Sequence, residues 1–331
     1  NDWAKAMHES ESNQISSWYA AIVTLTGGME SPHLRMEAEM NMKRRQFVAL
    51  FGSLAIGTGI RTSFAEETGL REPIHRVAKA PNSVAPTSVH PLDRALEIAR
   101  SGLECCRSNI NDYTAILIKR ERVDNVLTAH EYMQVKIRNR KVVNGQVVQP
   151  LSVYINFLKP TAVKGREVIY VEGKNENNII AHEGGFKGKF LPTVNLSPNG
   201  MLAMRGQRYP MTEIGVENLI VKLIERGQQA RQFNDVQCEF RKNARVKDRV
   251  CTVLQVTQPT KQPNLEFYKA SVFIDDQLNV PIRYIAYDWP KRADAPLDVL
   301  EEYNYLNLKV NVGLTDEDFN PYNPKYRFYS K

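Results

Sequence analysis

The sequence predicts an α+β fold: one strongly curved antiparallel sheet, a half-open β-barrel of about 10–11 strands, with two main helices covering its concave face. Three observations predict it. Strand-like runs follow one another through short turn signals, which implies antiparallel pairing. Several runs alternate apolar and polar residues, so one face of the sheet is buried and the other wet. Two stretches carry apolar residues at helical spacing, and no helical crossovers separate the strands, which argues against a doubly wound nucleotide fold.

Ahead of the fold, residues 42–65 have the layout of an export signal. A basic cluster (Lys43, Arg44, Arg45) precedes an apolar run over 47–60, and Ser63, Phe64 and Ala65 fit the small-x-small pattern of a cleavage site. The run is short for a membrane-spanning helix, which needs about 20 apolar residues. Arg44 and Arg45 resemble the twin-arginine export motif, although Lys43 and Ala49 depart from it. A signal works at the N-terminus, so Met42 is the expected natural start and residues 1–41 an uninformative extension. Residues 66–90, rich in Pro, Ala, Ser and Thr, read as a linker. The remaining 91–331 are expected to form one domain.

From Pro91, apolar residues recur at helical spacing: Leu92, Ala95, Ala99, Leu103, Cys106 and Ile110. Strands follow. Residues 113–123 are rich in Tyr, Thr and Ile. Over 131–138, Met133, Val135 and Ile137 alternate with polar neighbours. Asn144-Gly145 signals a hairpin. Val153, Ile155 and Phe157 form the next apolar face, and 167–171, 179–182 and 190–196 are shorter strands. A second helix carries Val216, Leu219, Ile220, Leu223 and Ile224, with Thr212 as its cap and an end near Gly227. Further strands are expected at 235–241, 249–258, 266–275, 280–288 and 299–309, with Val272 and Ile274 facing inward. Residues 315–319 form a helical turn, and the aromatic tail from Asn320 packs across the sheet or stays partly loose.

The chain holds 44 basic and 37 acidic residues, a net +7 that is unchanged when residues 1–65 are removed. This modest, dispersed excess suits a solvated surface, or an anionic lipid or polyanionic envelope. No nucleic-acid motif appears, and no second apolar run reaches membrane-spanning length. The first cysteine is Cys105, far from the cleavage site, which argues against a lipoprotein anchor. Folding the hairpin about the polar loop 242–248 sets Cys238 opposite Cys251, and an oxidising compartment would join them as a disulfide. Adjacent Cys105 and Cys106 are poorly placed to bridge each other.

No catalytic constellation emerges, and no cofactor or metal is expected. The glycines of 184–188 lack phosphate-loop spacing and read as a flexible strand connection. His182 beside Glu183, and His130 beside Glu131, read as surface residues at strand ends. The neighbours Glu301 and Glu302 face opposite sides of a strand, so they make no acid/base couple, and Asp275-Asp276 reads as turn chemistry. Residues 119–122 read as a solvated strand face. Function therefore rests on the apolar concavity. Met133, Val135, Ile137, Val153, Ile155, Phe157, Val272, Ile274, Leu219 and Leu223 either fill an ordinary core or line a space that holds an acyl chain. Burial would stabilise such a chain by roughly 0.8 kcal/mol per CH2.

Two resemblances bear on that choice. Residues 151–160 (with Tyr154, Asn156 and Pro160), 165–171, 208–215, 301–308 and Asp318-Phe319 resemble blocks of an uncharacterised family of exported planctomycete proteins, over about 95–320. More distantly, residues 271–275 ending in Asp275, then a turn, then Pro281 and Arg283, are similar to the superfamily of the lipoprotein carriers LolA and LolB and the sensor RseB. That resemblance implies a half-open antiparallel barrel with helices as a lid, which binds acyl chains or lipoproteins. The chain is thus expected to be a non-enzymatic envelope protein that binds a lipid or a lipidated partner. The alternatives are a regulatory or scaffold module with a filled core that binds another envelope protein, and a hydrolase using His130 or His182.

Overall fold

A computed structural model describes residues 90–292 and 294–329. The extension, the export signal and all of the linker except its last residue lie outside the described residues. Within them, all eleven strands of the main path pair antiparallel, and β2 attaches at the side of β1. The sheet runs in the order β10-β11-β12-β13-β14-β1-β3-β6-β7-β8-β9 and does not close, since β9 and β10 are its edges. The strands are β1 (Asp112–Val123), β2 (Val126–Leu127), β3 (Glu131–Arg138), β6 (Ser152–Lys159), β7 (Glu167–Val171), β8 (Ile179–His182) and β9 (Val194–Leu196), then β10 (Gln237–Val246), β11 (Arg249–Thr257), β12 (Lys269–Asp275), β13 (Val280–Tyr287) and β14 (Val299–Val310). β4 (Lys141–Val143) and β5 (Gln146–Gln149) form a separate hairpin. Its turn is Asn144-Gly145, with φ of 49° and 77°, the left-handed pair that a two-residue turn requires.

Two meanders therefore meet at the centre, where the two longest strands pair, Tyr113 opposite Val310. Helix α1 (Asp93–Asn109) precedes the first meander. Helix α2 (Val216–Ala230) joins the two. The inward residues of both helices share clusters with inward residues of the sheet. The opposite face of β6 and β7 is covered by the C-terminal segment: Phe319, Tyr326 and Phe328 pack on Tyr154, Ile169 and Val171. Tyr326 stacks on Tyr154 with ring centroids 4.2 Å apart. Every residue of β7 is buried for this reason.

The start of α1 is set by His90. Its Nδ1 accepts the Leu92 N–H at 3.1 Å, while Nε2 lies 3.0 Å from the Phe233 carbonyl, which fixes Nε2 as the protonated nitrogen. Helix α2 departs from expectation at both ends. Its cap is Gly215 at φ 116°, and Thr212 lies in a preceding turn. A side chain at Gly215 would meet the Tyr113 hydroxyl at 3.0 Å. That hydroxyl accepts the Val216 N–H at 2.9 Å and so satisfies a helix-start amide that no cap side chain reaches. The helix also runs past Gly227 to Ala230, because Gly227 is where α1 crosses: a Cβ there would lie 2.8 Å from Leu96 Cδ2.

Two loops are corrected as well. The stretch 242–248 is mostly strand, since β10 continues through a bulge near Asn243 to a turn at Lys247-Asp248. The expected strand over 190–196 begins only at Val194. The glycine stretch before it is a helical turn, Gly185–Gly188. Gly184 is packed so closely that a Cβ would lie 2.2 Å from Gly165 C and Lys164 O. Close approach of two backbones, not flexibility, is what requires glycine there.

Candidate functional site

Helices α1 and α2 and strands β11–β13 line an apolar cavity of about 70 Å³. Leu96, Ala99 and Gly102 come from α1, Ile220, Leu223 and Gly227 from α2, and Leu254, Val272 and Ile274 from the sheet. The space exists because the facing positions are small: Ala95, Ala99, Gly102, Gly227, Ala230 and Ala270 all line it. Over the other half of the sheet, large side chains close the gap. Tyr113, Leu117, Met133 and Tyr305 pack there against Val216 and Ile220 of α2.

The expected ligand-facing residues divide accordingly. Val272, Ile274 and Leu223 line the cavity, and Leu219 packs beside it. Met133, Val135, Ile137, Val153, Ile155 and Phe157 do not; they are buried in the filled half. Alternation alone gives both halves of the sheet the same face, so these six strand residues were indistinguishable from Val272 and Ile274. The small residues on one side of each helix were the available signal.

The predicted Cys238–Cys251 disulfide is not formed, and all four cysteines are free thiols. Because the turn is at Lys247-Asp248, Cys238 lies opposite Val256 and Cys251 opposite Ala244. Five or more strand residues separate them, roughly 15–20 Å. Burial pushes both thiols up to about 11.

Two buried polar features border the apolar space. The first centres on Arg226, which lines the cavity and is 6 % exposed. Its guanidinium donates to Glu301 Oε1 at 2.9 Å, to the hydroxyls of Tyr284 (3.0 Å) and Tyr209 (2.6 Å), and to Glu266 at 2.5 Å. Tyr209 donates in turn to Glu301 Oε2 at 2.8 Å. The network continues through Tyr303, which donates to Glu121 at 2.5 Å, and through the Arg208 N–H, which donates to the same carboxylate at 2.9 Å. Lys119 contacts Glu121 at 3.3 Å and also bonds Gln207. Burial opposes the charge on Arg226, yet Tyr284, Glu301, Tyr209 and Glu266 hold its pKa above the ordinary value. Burial, then the Glu301 carboxylate, push the Tyr209 phenol up to about 12. These phenols are neutral donors at neutral pH, not bases.

Residues 119–122 are therefore not one solvated face. Lys119 and Glu121 point into the network, while Arg120 reaches Glu302 on the other face at 3.1 Å. Glu301 and Glu302 do face opposite sides: Glu302 pairs with Arg120 and with Arg283 at 2.9 Å. Asp275 does serve its turn, accepting the N–H groups of Gln277 and Leu278, each at 2.9 Å. The second polar feature is Gln258, just past β11. It lines the cavity, is 2 % exposed, and its side-chain Oε1 has no hydrogen-bond partner. Leaving a buried acceptor unpaired costs about 1–3 kcal/mol.

The histidines are brought to no common site. His130 Nε2 is 3.6 Å from Glu302. His182 Nδ1 lies 3.1 Å from Thr193 Oγ1, and burial lowers its pKa. No group of His, Cys, Asp and Glu suited to a metal ion occurs among the described residues. No helix there is long and apolar enough to cross a membrane.

The chain is similar in fold to several solved structures. One chain of the Pseudomonas aeruginosa MucA/MucB complex matches with a TM-score of 0.40 and 13% identity, covering 69% of this chain and 60% of that one. Mycobacterium tuberculosis lipoprotein LppX matches with a TM-score of 0.36 and 14% identity, covering 67% and 98%. A putative outer membrane lipoprotein-sorting protein domain from Vibrio parahaemolyticus matches with a TM-score of 0.32 and 15% identity, covering 68% and 95%. At these scores the likeness assigns no function. No curated protein matches the chain. Residues 110–328 match the model of a family of proteins of unknown function, DUF1571. That match takes in both meanders, α2 and most of the C-terminal segment, well over half of the chain, and the protein belongs to the DUF1571 family.

Proposed function

We propose that this is an exported envelope protein that binds a lipid, an acyl chain or a lipidated partner without catalysis, and that the site is the cavity between α1, α2 and β11–β13. The observation that carries this reading is an apolar cavity built where small helix residues face the sheet. Its size sets a condition. About 70 Å³ is roughly half of the engineered 150 Å³ cavity that admits benzene, so a longer chain enters only as the helices separate from the sheet. Eight buried methylenes would contribute roughly 6 kcal/mol, enough to offset the loss of a few helix contacts.

The test is direct. Protein purified from its own envelope is expected to carry an acyl-sized mass in native mass spectrometry, and delipidated protein to take up a fluorescent fatty acid. Filling the cavity with Ala99→Phe should abolish uptake while the melting transition persists. No mass, no uptake and no effect of Ala99→Phe would remove the reading.

A second reading, a module that binds another envelope protein, draws on a different observation. The β4–β5 hairpin stands apart from the main sheet and leaves Val142, Val143, Val147 and Val148 between 44% and 60% exposed. Four exposed valines on a two-stranded hairpin suit contact with a partner. If Val143→Lys with Val148→Lys abolishes partner capture and leaves fatty-acid uptake unchanged, this surface acts independently of the cavity.

A further inference from the structure

We infer that the ligand of this cavity carries a hydroxyl group on its chain, and that Gln258 is the residue that recognises it. This rests on the acyl-binding reading above and names the chemistry of the bound chain. Both backbone groups of Gln258 are satisfied: its N–H donates to the Tyr268 carbonyl at 2.7 Å, and its carbonyl accepts the Trp289 indole N–H at 3.1 Å. The main chain at 258 is thus pinned from both sides. Gln258 lines a cavity whose other lining residues are apolar except for Arg226 and Asn279, and its side-chain oxygen has no hydrogen-bond partner. An apolar side chain would fill that position without leaving a polar atom unsatisfied.

The class of ligand follows from the groups present. A hydrocarbon chain leaves the amide unpaired. A carboxylate offers the amide oxygen no proton and would be desolvated, and the cation that lines the cavity, Arg226, is already committed to Glu301 and Glu266. A hydroxyl both donates and accepts, so it pairs with the amide in either orientation of the carboxamide. The Arg226 Nε–H also lacks a hydrogen bond, but so do those of Arg138, Arg166 and Arg283, and it does not discriminate.

The experiment compares 1-octanol with 1-chlorooctane by titration calorimetry on the full chain, in wild type, Gln258→Leu and Gln258→Met. Wild type is expected to bind octanol more tightly, although chlorooctane is the more apolar. In both variants the octanol preference should fall about tenfold, the effect of one lost hydrogen bond to a buried partner. Thermal melts confirm that the variants fold, and the wild-type order of affinities stands without them. Chlorooctane binding more tightly to wild type, or a preference unchanged in the variants, overturns the role of Gln258 while leaving a hydrocarbon site in place. Binding of neither compound to wild type overturns the acyl reading itself.

Discussion

At the scale of single residues, the molecule is decided by a few polar groups in apolar surroundings. Replacing Arg226 by Met leaves the Glu301 carboxylate buried without its main counter-charge. Urea unfolding should show a loss of about 3–5 kcal/mol, and the paired change Arg226→Met with Glu301→Leu should recover much of it. None of this network was legible beforehand. Four successive charged residues at 119–122 give a strand no apolar cue to which face is inward, and only the register of β1 against β14 shows that Glu121 shares a side with Tyr303. Gln258 gave no signal either, because an amide at a strand end reads as solvated. The cysteines carry their own test. With the Cys238 and Cys251 thiols pushed up to about 11 by burial, little thiolate exists at pH 8, so both should alkylate slowly in native protein and rapidly in urea. A non-reducing peptide map should contain no peptide linking them.

At the scale of elements, two glycines make contrasting predictions. A Cβ at Gly102 of α1 would lie 2.9 Å from the Asn279 carbonyl oxygen, which belongs to backbone and cannot swing aside. Gly102→Ala should therefore destabilise by about 1–3 kcal/mol, outweighing the gain of about 1 kcal/mol from removing a helix glycine. Gly227→Ala meets only the end of the Leu96 side chain and should lie near neutral. The C-terminal segment is held by charge as well as by rings. Lys136 bonds Asp318 at 2.7 Å and Arg138 bonds Asp316 at 2.7 Å. Burial of Asp318 is outweighed by its bonds to Lys136 and Thr315, and its pKa is lowered; the Arg138 bond lowers that of Asp316. A lowered carboxyl contributes stability above its unfolded value of 3.8 and loses it as pH falls through the folded value. Below about pH 4 the segment should loosen, seen as Tyr326 ring resonances moving to their unstacked positions, and Asp318→Asn should remove much of that dependence. Strand periods and turn residues made most of these elements legible, as at Asn144-Gly145 and 131–138. What the sequence could not show was how far an element extends when the cause lies in a distant partner, as Leu96 does for Gly227 and Tyr113 for Gly215.

At the scale of the whole molecule, the antiparallel sheet with two helices on one face was readable because successive strands with short turns admit few other arrangements. Which half would be filled and which hollow was not, because that depends on which helix residues lie opposite which strands. The order of the sheet has one more consequence. Proteins are made from the N-terminus onward, and β1 pairs with the last strand of the sheet, β14. Until residues 299–310 have emerged, β1 and β13 each present a bare edge at the future centre of the sheet. Closing that seam spans nearly the whole domain, so it comes late and slowly. A chain released after residue 298 should keep two long unpaired edges and gather into aggregates, whereas loss of residues 320–331 alone should leave the seam sealed.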